Sequence, residues 1–358
     1  MTSSVTVKQV LAVVPPKVGG RAVGASLASV FGSAAQTTVV ETTDQDKAAL
    51  GQAHVILTGL GPVSAEHIAA APALEVIQCA SHGFDYVDLA AAESRGVIVC
   101  NIGTTGAEVQ DVAEHTFALM LALAKQLIPG HTALAQADWA LPRLERLITE
   151  LHDKVLGIIG LGHIGREVAA RAAAFDMDIV YTEDPLVTVT DVAERLRARR
   201  VELDELLRIS DYITVHAPLS DETRHLINTE RLALVKPTAF IINTARGAVI
   251  DQDALADALE AGRIAGAGID VYDPEPPPAS LRLLHAPNVV LSPHVGGVTR
   301  ETLPRIAMAA ASNVSEYLAG KPPADVVSEG KASNPQRTCR PTHKAQNSVK
   351  RPQQEPGR

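Results

Sequence analysis

Aromatic residues are scarce in this sequence: Phe, Trp and Tyr make up 3% of 358 residues. So few rings argue against a base-stacking platform for single-stranded nucleic acid and against an aromatic carbohydrate groove. Cysteine is scarcer still. Cys79, Cys100 and Cys339 are odd in number and far apart, which leaves no disulfide framework and no CxxC zinc or redox centre. No metal is expected, and a reducing cytoplasm is the expected setting. Long hydrophobic runs are also missing. The longest uncharged one, Phe117 to Ala124, falls far short of the roughly 20 residues that cross a bilayer, and Met1 to Lys8 lacks the basic start and apolar stretch of a secretion signal. Positive charge is in deficit, 32 Lys and Arg against 41 Asp and Glu, for a net charge of −9. That balance argues against nucleic acid or an anionic membrane as a general partner, so a soluble chain is expected.

What is present is an ordinary globular composition, 46% hydrophobic and 20% charged, long enough for two domains. In the first hundred residues, short apolar runs at Val10–Val14, Val55–Leu57, Val76–Cys79 and Val97–Cys100 alternate with Ala-rich polar stretches of helical character. Such alternation predicts an α/β layer with a buried parallel sheet. Residues Gly106 to Lys125 carry apolar side chains at helical spacing and predict one long helix. A second series follows, with strands at Val155–Ile159, Ile179–Tyr181, Tyr212–Val215, Ala239–Asn243, Ala267–Val271 and Val289–Leu291. Six strands with crossover helices fit a doubly wound Rossmann fold. From residue 328 onward the composition changes. Seven basic residues against two acidic ones give residues 328–358 a charge of +5, with recurring proline and few large apolar groups, so this tail is read as disordered.

The sequence Gly160-Leu161-Gly162-His163-Ile164-Gly165 follows the first strand of the second series and opens a helix through Phe175. A GxGxxG pattern alone is weak, but this strand and helix supply the context that dinucleotide binding needs. Gly160 allows the tight turn, Gly162 lets a pyrophosphate approach the backbone, and Gly165 lets helix and strand close, with the helix N-terminus facing the phosphates. Asp184, at the end of the second strand, can accept hydrogen bonds from ribose hydroxyls and would repel a 2′-phosphate. NAD is therefore favoured over NADP. A methyltransferase also uses a glycine loop and an acid, and preferential binding of S-adenosylmethionine would mark one.

Three later strands run into polar residues: Thr244-Ala245-Arg246, Asp273-Pro274-Glu275-Pro276, and Ser292-Pro293-His294-Val295-Gly296-Gly297. Ligands of open α/β sheets bind beyond the strand carboxyl ends, so Arg246, Glu275 and His294 are expected to converge there. An arginine fork matches a carboxylate, a histidine exchanges a proton near neutrality, and an adjacent glutamate favours the imidazolium. This trio suits reduction of a 2-oxo acid. Methyl transfer has no need of it. His115 and His216 are read as capping or satisfying nearby backbone.

These residues, with Gly83-Phe84-Asp85-Tyr86-Val87-Asp88-Leu89, Val112-Ala113-Glu114-His115-Thr116, His216-Ala217-Pro218-Leu219, Asn243 to Asp251 and Gly266 to Pro277, resemble the D-isomer-specific 2-hydroxyacid dehydrogenase family over roughly residues 50 to 325. The resemblance implies that Arg246, Glu275 and His294 are catalytic. It also implies an NAD site from His163, Ile164, Asp184, Pro218, Thr244, Ala245, Arg246, Asp270, His294, Gly296 and Gly297, and a substrate loop of Ser81, His82 and Gly83 whose N–H groups hold the acid's carboxylate. A smaller, discontinuous flavodoxin-like substrate domain (1–100 and 295–327) would pack beside a cofactor domain (101–294), and homodimers through the cofactor domain are expected. Glu275 stands where formate dehydrogenases carry an amide, and the stretch 57–64 holds no cation for a phosphate, so a small unphosphorylated 2-hydroxy acid is expected. The family also contains NAD-responsive corepressors, which is the alternative reading.

Overall fold

The computed structural model describes residues 7–16, 19–183 and 190–328; Asp184 and the tail beyond residue 328 lie outside the described residues. Strands β1 (Lys8–Val13), β2 (Ala35–Val40), β3 (Val55–Thr58), β4 (Val76–Cys79) and β5 (Ile98–Cys100) join β13 (Val326–Ser328) in one sheet, in the order β13-β5-β4-β3-β1-β2. All its pairs are parallel except β13 with β5. Apart from that antiparallel edge, the order 2-1-3-4-5 is the flavodoxin-like one, with its topological switch point between β1 and β3.

The second sheet holds β6 (Val155–Ile159), β7 (Asp178–Thr182), β8 (Arg199–Arg200), β9 (Tyr212–Val215), β10 (Phe240–Asn243), β11 (Gly266–Ile269) and β12 (Val289–Leu291), in the order β12-β11-β10-β9-β6-β7-β8 and wholly parallel. Counted from β6 this is 3-2-1-4-5-6, the Rossmann order, with a seventh strand beyond. Every residue of β3, β4, β9, β10 and β11 is buried, because helices cover both faces and the continuous Val, Ile and Leu runs have no solvent side.

Two helices tie these sheets to the chain's course. Helix Val109–Ala124 packs on helix His163–Ala174 and on β10 and β11, burying Leu119, Met120 and Leu123. Helix Thr302–Leu318 returns to the first sheet, against β3, β4 and helix Gly20–Phe31, with Ala310, Ala311 and Val314 fully buried. The first five strands and the segment from Thr302 to Ser328 therefore build the first sheet's layer together. Among the described residues no single helix is long and apolar enough to cross a membrane; the bent pair Val109–Ala124 and Leu127–Ala135 passes on length and composition alone, and the first of these is buried on the second sheet.

Candidate active site

The glycine loop leaves β6 at Gly160, whose φ of 95° is open to glycine and strained for other residues. A Cβ on Gly165 would lie 2.1 Å from the Gly160 carbonyl oxygen, so this position lets the helix close over the turn. Gly162 is different: a Cβ there would meet nothing within 4 Å, so the loop is open on that side. It caps the twelve-residue helix His163–Ala174 without a side-chain cap and with no acid in the first turn. Free first-turn N–H groups facing open space fit a dinucleotide pyrophosphate. The Glu183 carboxylate, at the end of β7, accepts a hydrogen bond from the Leu161 N–H at 2.6 Å.

Beyond β10 the chain turns sharply because the buried Asn243 amide grips it: its Nδ2 donates to the Arg246 carbonyl at 2.9 Å, and its Oδ1 accepts from the Ala245 N–H at 3.0 Å. Arg246 is thereby aimed across the interface between the sheets. Its Nε donates to Asp85 Oδ1 and its Nη1 to the Ala245 carbonyl, each at 2.8 Å, while Nη2 lies against the backbone of Gly83. Beyond β11, Glu275 folds back so that Oε1 accepts the Tyr272 N–H at 3.0 Å and Oε2 meets His294 Nδ1 at 2.7 Å. Burial works against the Glu275 carboxylate, yet the hydrogen bond and charge of His294 hold its pKa below the ordinary range. With Nδ1 so engaged, Nε2 is the His294 nitrogen left for proton exchange.

His294 has a φ of 53°, and its loop is fastened to Asp270. The Asp270 carbonyl accepts the His294 N–H at 2.8 Å, and its carboxylate accepts Ser292 Oγ at 2.6 Å and the Val295 and Gly296 N–H groups at 2.9 Å each. His115 Nε2 stands 3.3 Å from the same carboxylate and 2.8 Å from Ser292 Oγ. Burial alone would raise this acid's pKa, but the converging donors bring it down to about 2. Asp270 is a fixed anion that shapes the loop.

A cavity of about 370 Å³ lies between the two sheets. The second sheet's side contributes Gly162 to Ile164, Pro218, Thr244 to Arg246, Asp270, His294, Gly296 and Gly297; the first contributes Ser81 to Asp85. Glu275 lines an adjoining cavity of about 210 Å³, which shares Arg246 and His294 with the larger one. Gly160 and Gly165 stand outside both linings and act through the loop's shape.

Several groups depart from the sequence reading. The His82 N–H is not free to hold a carboxylate: it donates to Glu108 Oε1 at 3.0 Å, and the His82 ring Nδ1 meets the same oxygen at 3.0 Å. Burial pushes the Glu108 carboxyl up, but the His82 bonds outweigh it and hold its pKa below the ordinary value. Glu108 carried no sequence signal, since an acid opening an apolar helix reads as an end charge. Ser81 Oγ donates to the Gly83 carbonyl at 2.7 Å and also contacts Tyr86 Oη at 2.7 Å, so it shapes the loop. His115 serves Asp270 and Ser292 side chains, and His216 caps nothing: both its ring nitrogens are buried without a hydrogen-bond partner among the described residues, and burial lowers its pKa to about 3.

Residues 117–296 match the D-isomer specific 2-hydroxyacid dehydrogenase NAD-binding domain. The chain belongs to that family. Among its relatives, a glyoxylate reductase of Korarchaeum cryptofilum is 37% identical over 270 residues, covering 75% of this chain and 80% of the relative. A hydroxypyruvate reductase of Thermotoga maritima is 40% identical over 248 residues, covering 69% and 78%. The solved structure of an Aquifex aeolicus D-lactate dehydrogenase, complexed with NAD and lactic acid, aligns with a TM-score of 0.78 at 29% identity, covering 87% of this chain and 95% of that one. This D-2-hydroxyacid dehydrogenase family member is an NAD-dependent oxidoreductase acting on a CH–OH group.

Proposed function

We propose that the protein interconverts a small, unphosphorylated D-2-hydroxy acid and its 2-oxo acid, with Arg246, Glu275 and His294 as its catalytic residues. The observation that carries this reading is the 2.7 Å contact of His294 Nδ1 with Glu275, beside Arg246 on one shared cleft. Arg246 binds the acid's carboxylate and polarises the C2 carbonyl, helped by the Gly83 backbone beside it. Bound NADH supplies the hydride that C2 receives. His294 donates a proton to the carbonyl oxygen from Nε2, and Glu275 stabilises the imidazolium that precedes this. In the oxidative direction neutral His294 takes the hydroxyl proton.

The relatives named as glyoxylate and hydroxypyruvate reductases support an unphosphorylated acid, as does the absence of a cation from 57–64. The domains we assign are 1–100 with 295–327 for substrate and 101–294 for cofactor. A homodimer through the cofactor domain fits the exposed apolar side chains of Leu127, Ile128, Leu134, Trp139 and Leu141. A reducing cytoplasmic setting fits the free, buried thiols of Cys79 and Cys100. The test is NADH oxidation with a panel of 2-oxo acids, together with the His294→Ala variant. Turnover with at least one acid is expected, and His294→Ala loses it while still binding NADH. NADH binding without turnover of any acid would instead favour a dinucleotide-responsive binding protein of the same fold.

A further inference from the structure

The proposed reaction uses one His–Glu pair of the cleft and leaves another without a task. His82 and Glu108 both line the larger cavity, with side chains 21% and 15% exposed. The loop of His82 is pinned by Asn101, whose Nδ2 donates to the His82 carbonyl at 2.8 Å. Glu108 stands at the start of helix Val109–Ala124, and its Oε1 accepts both donors that His82 turns toward it, the backbone N–H and Nδ1, each at 3.0 Å. An ionised carboxylate only accepts, so the ring proton toward Glu108 sits on Nδ1, and in the neutral ring Nε2 is a lone pair.

What remains on this pair is capacity to accept. Both bonds to Glu108 end on Oε1, and Oε2 takes none among the described residues. Oε2 lies toward Gly297, where an added Cβ would stand 3.1 Å from it. His82 Nε2 is buried without a partner as well. The place is next to the proposed chemistry: Gly83, which follows His82, lies against Arg246 Nη2, and Gly297 ends the loop that His294 begins. No lysine, and no arginine except Arg246, lines either cavity. A carboxylate oxygen held in such a cleft without a donor gains from any donor that a ligand brings, and a second anion beside it adds repulsion.

We infer that Glu108, held in place by His82, is a specificity-determining residue: the preferred 2-oxo acids carry a hydrogen-bond donor, a hydroxyl or ammonium group, on the carbon next to the carbonyl, and acids with a second anion there are rejected. The inference rests on the reading that Arg246 holds the carboxylate. With Arg246 committed to that group and to Asp85, a second carboxylate or a phosphate would face Glu108 with no arginine or lysine to offset it. A hydroxyl, by contrast, can donate to the free Oε2, and that bond is charge-assisted.

The test is kcat/KM at saturating NADH for hydroxypyruvate, 2-oxobutyrate and oxaloacetate. The first two differ by a hydroxyl against a methyl group of similar size, and the third adds a carboxylate. Hydroxypyruvate should exceed 2-oxobutyrate by at least about tenfold, and oxaloacetate should fall below it by at least about tenfold. Glu108→Gln keeps an oxygen for His82 and turns an NH2 donor to the cleft instead of the free oxygen. In that variant the advantage of hydroxypyruvate should shrink to within about threefold, and the ratio of oxaloacetate to 2-oxobutyrate should rise by at least about tenfold. A merely structural role would lower all three acids together and leave the ratios unmoved, which overturns the inference. Thermal melting checks that the variant is folded, and the wild-type series decides the matter if it is not. Equal or better turnover of 2-oxobutyrate, or a preference for oxaloacetate, also overturns the inference while leaving the dehydrogenase reading intact. No turnover with any 2-oxo acid removes that reading, and the inference with it.

Discussion

Gly83→Ala is the sharpest probe of the cleft, because it adds one methyl group where the two halves of the site meet. An ideal Cβ at this position would lie 1.4 Å from Arg246 Nη2, 2.6 Å from Cζ and 3.0 Å from Asp85 Oδ1. Ordinary contact begins near 3.4 Å, so the guanidinium must retreat by about 2 Å. Gly83 does not have a positive φ, so the backbone accepts alanine and the collision is the whole effect. The moving group is the end of a flexible side chain, and the fold should lose little. The substrate carboxylate, however, should lose its fork. Two charge-assisted hydrogen bonds at roughly 1.5 to 3 kcal/mol each set the loss at about 3 to 6 kcal/mol, or 10² to 10⁴ in kcat/KM. The assay is steady-state oxidation of NADH with a competent 2-oxo acid, beside fluorescence titration with NADH and a thermal melt. We expect a loss of at least about 100-fold in kcat/KM, with NADH affinity within about twofold and a melting temperature within about 2 °C of the parent. A kcat/KM within fivefold of the parent would mean that Arg246 does not hold the acid as argued.

Other consequences follow from the two carboxylates that organise the loop ends. Glu275→Gln keeps a hydrogen-bonding group beside His294 but removes the charge that stabilises its imidazolium, so kcat should fall by about 10² to 10⁴ with KM for NADH unchanged; a kcat within threefold would remove Glu275 from the acid/base pair. Asp270→Asn turns an acceptor toward the Gly296 N–H into a donor and should cost about 2 to 4 kcal/mol, read as a fall of roughly 5 to 10 °C in melting temperature at pH 7. The sign with pH follows from its lowered pKa. The stability that Asp270 contributes is complete above the ordinary carboxyl value near 3.9, and it is lost as the pH falls through about 2. The difference between parent and Asp270→Asn should therefore be constant from pH 7 to about 5 and shrink below 4. A difference that grew on acidification would contradict the assignment.

The central strands were legible because burial on both faces leaves short continuous apolar runs, as in Val155–Ile159 and Tyr212–Val215. Three of the four edge strands were not, β12 (Val289–Leu291) being the exception. β2 reads Ala-Gln-Thr-Thr-Val-Val with a half-exposed middle, and β8 is two exposed arginines whose extended state comes from pairing with β7. β13 likewise owes its state to the antiparallel pairing with β5, a contact between residues more than two hundred positions apart. The trio was legible for a topological reason: Arg246, Glu275 and His294 each follow a strand of one parallel sheet, so all emerge at one edge. Glu108, Asp85 and His115 escaped because their partners lie far away in sequence, and no local pattern distinguishes a cleft acid from a solvated one.

This contrast divides the molecule's labour. The residues proposed for chemistry stand at the ends of adjacent strands β10, β11 and β12, fastened by short-range bonds through Asn243 and Asp270 that do not involve the first sheet. The facing wall of the cleft comes from β1, β3 and the returning helix, which are far apart in sequence. Among the groups that cross between the halves are Arg246, bound to Asp85 with the Gly83 backbone against it, Glu108, bound to His82, and Asp111, bound to Arg305. The contact with Asp85 that joins the halves and the group proposed to hold the acid's carboxylate thus belong to one side chain, Arg246.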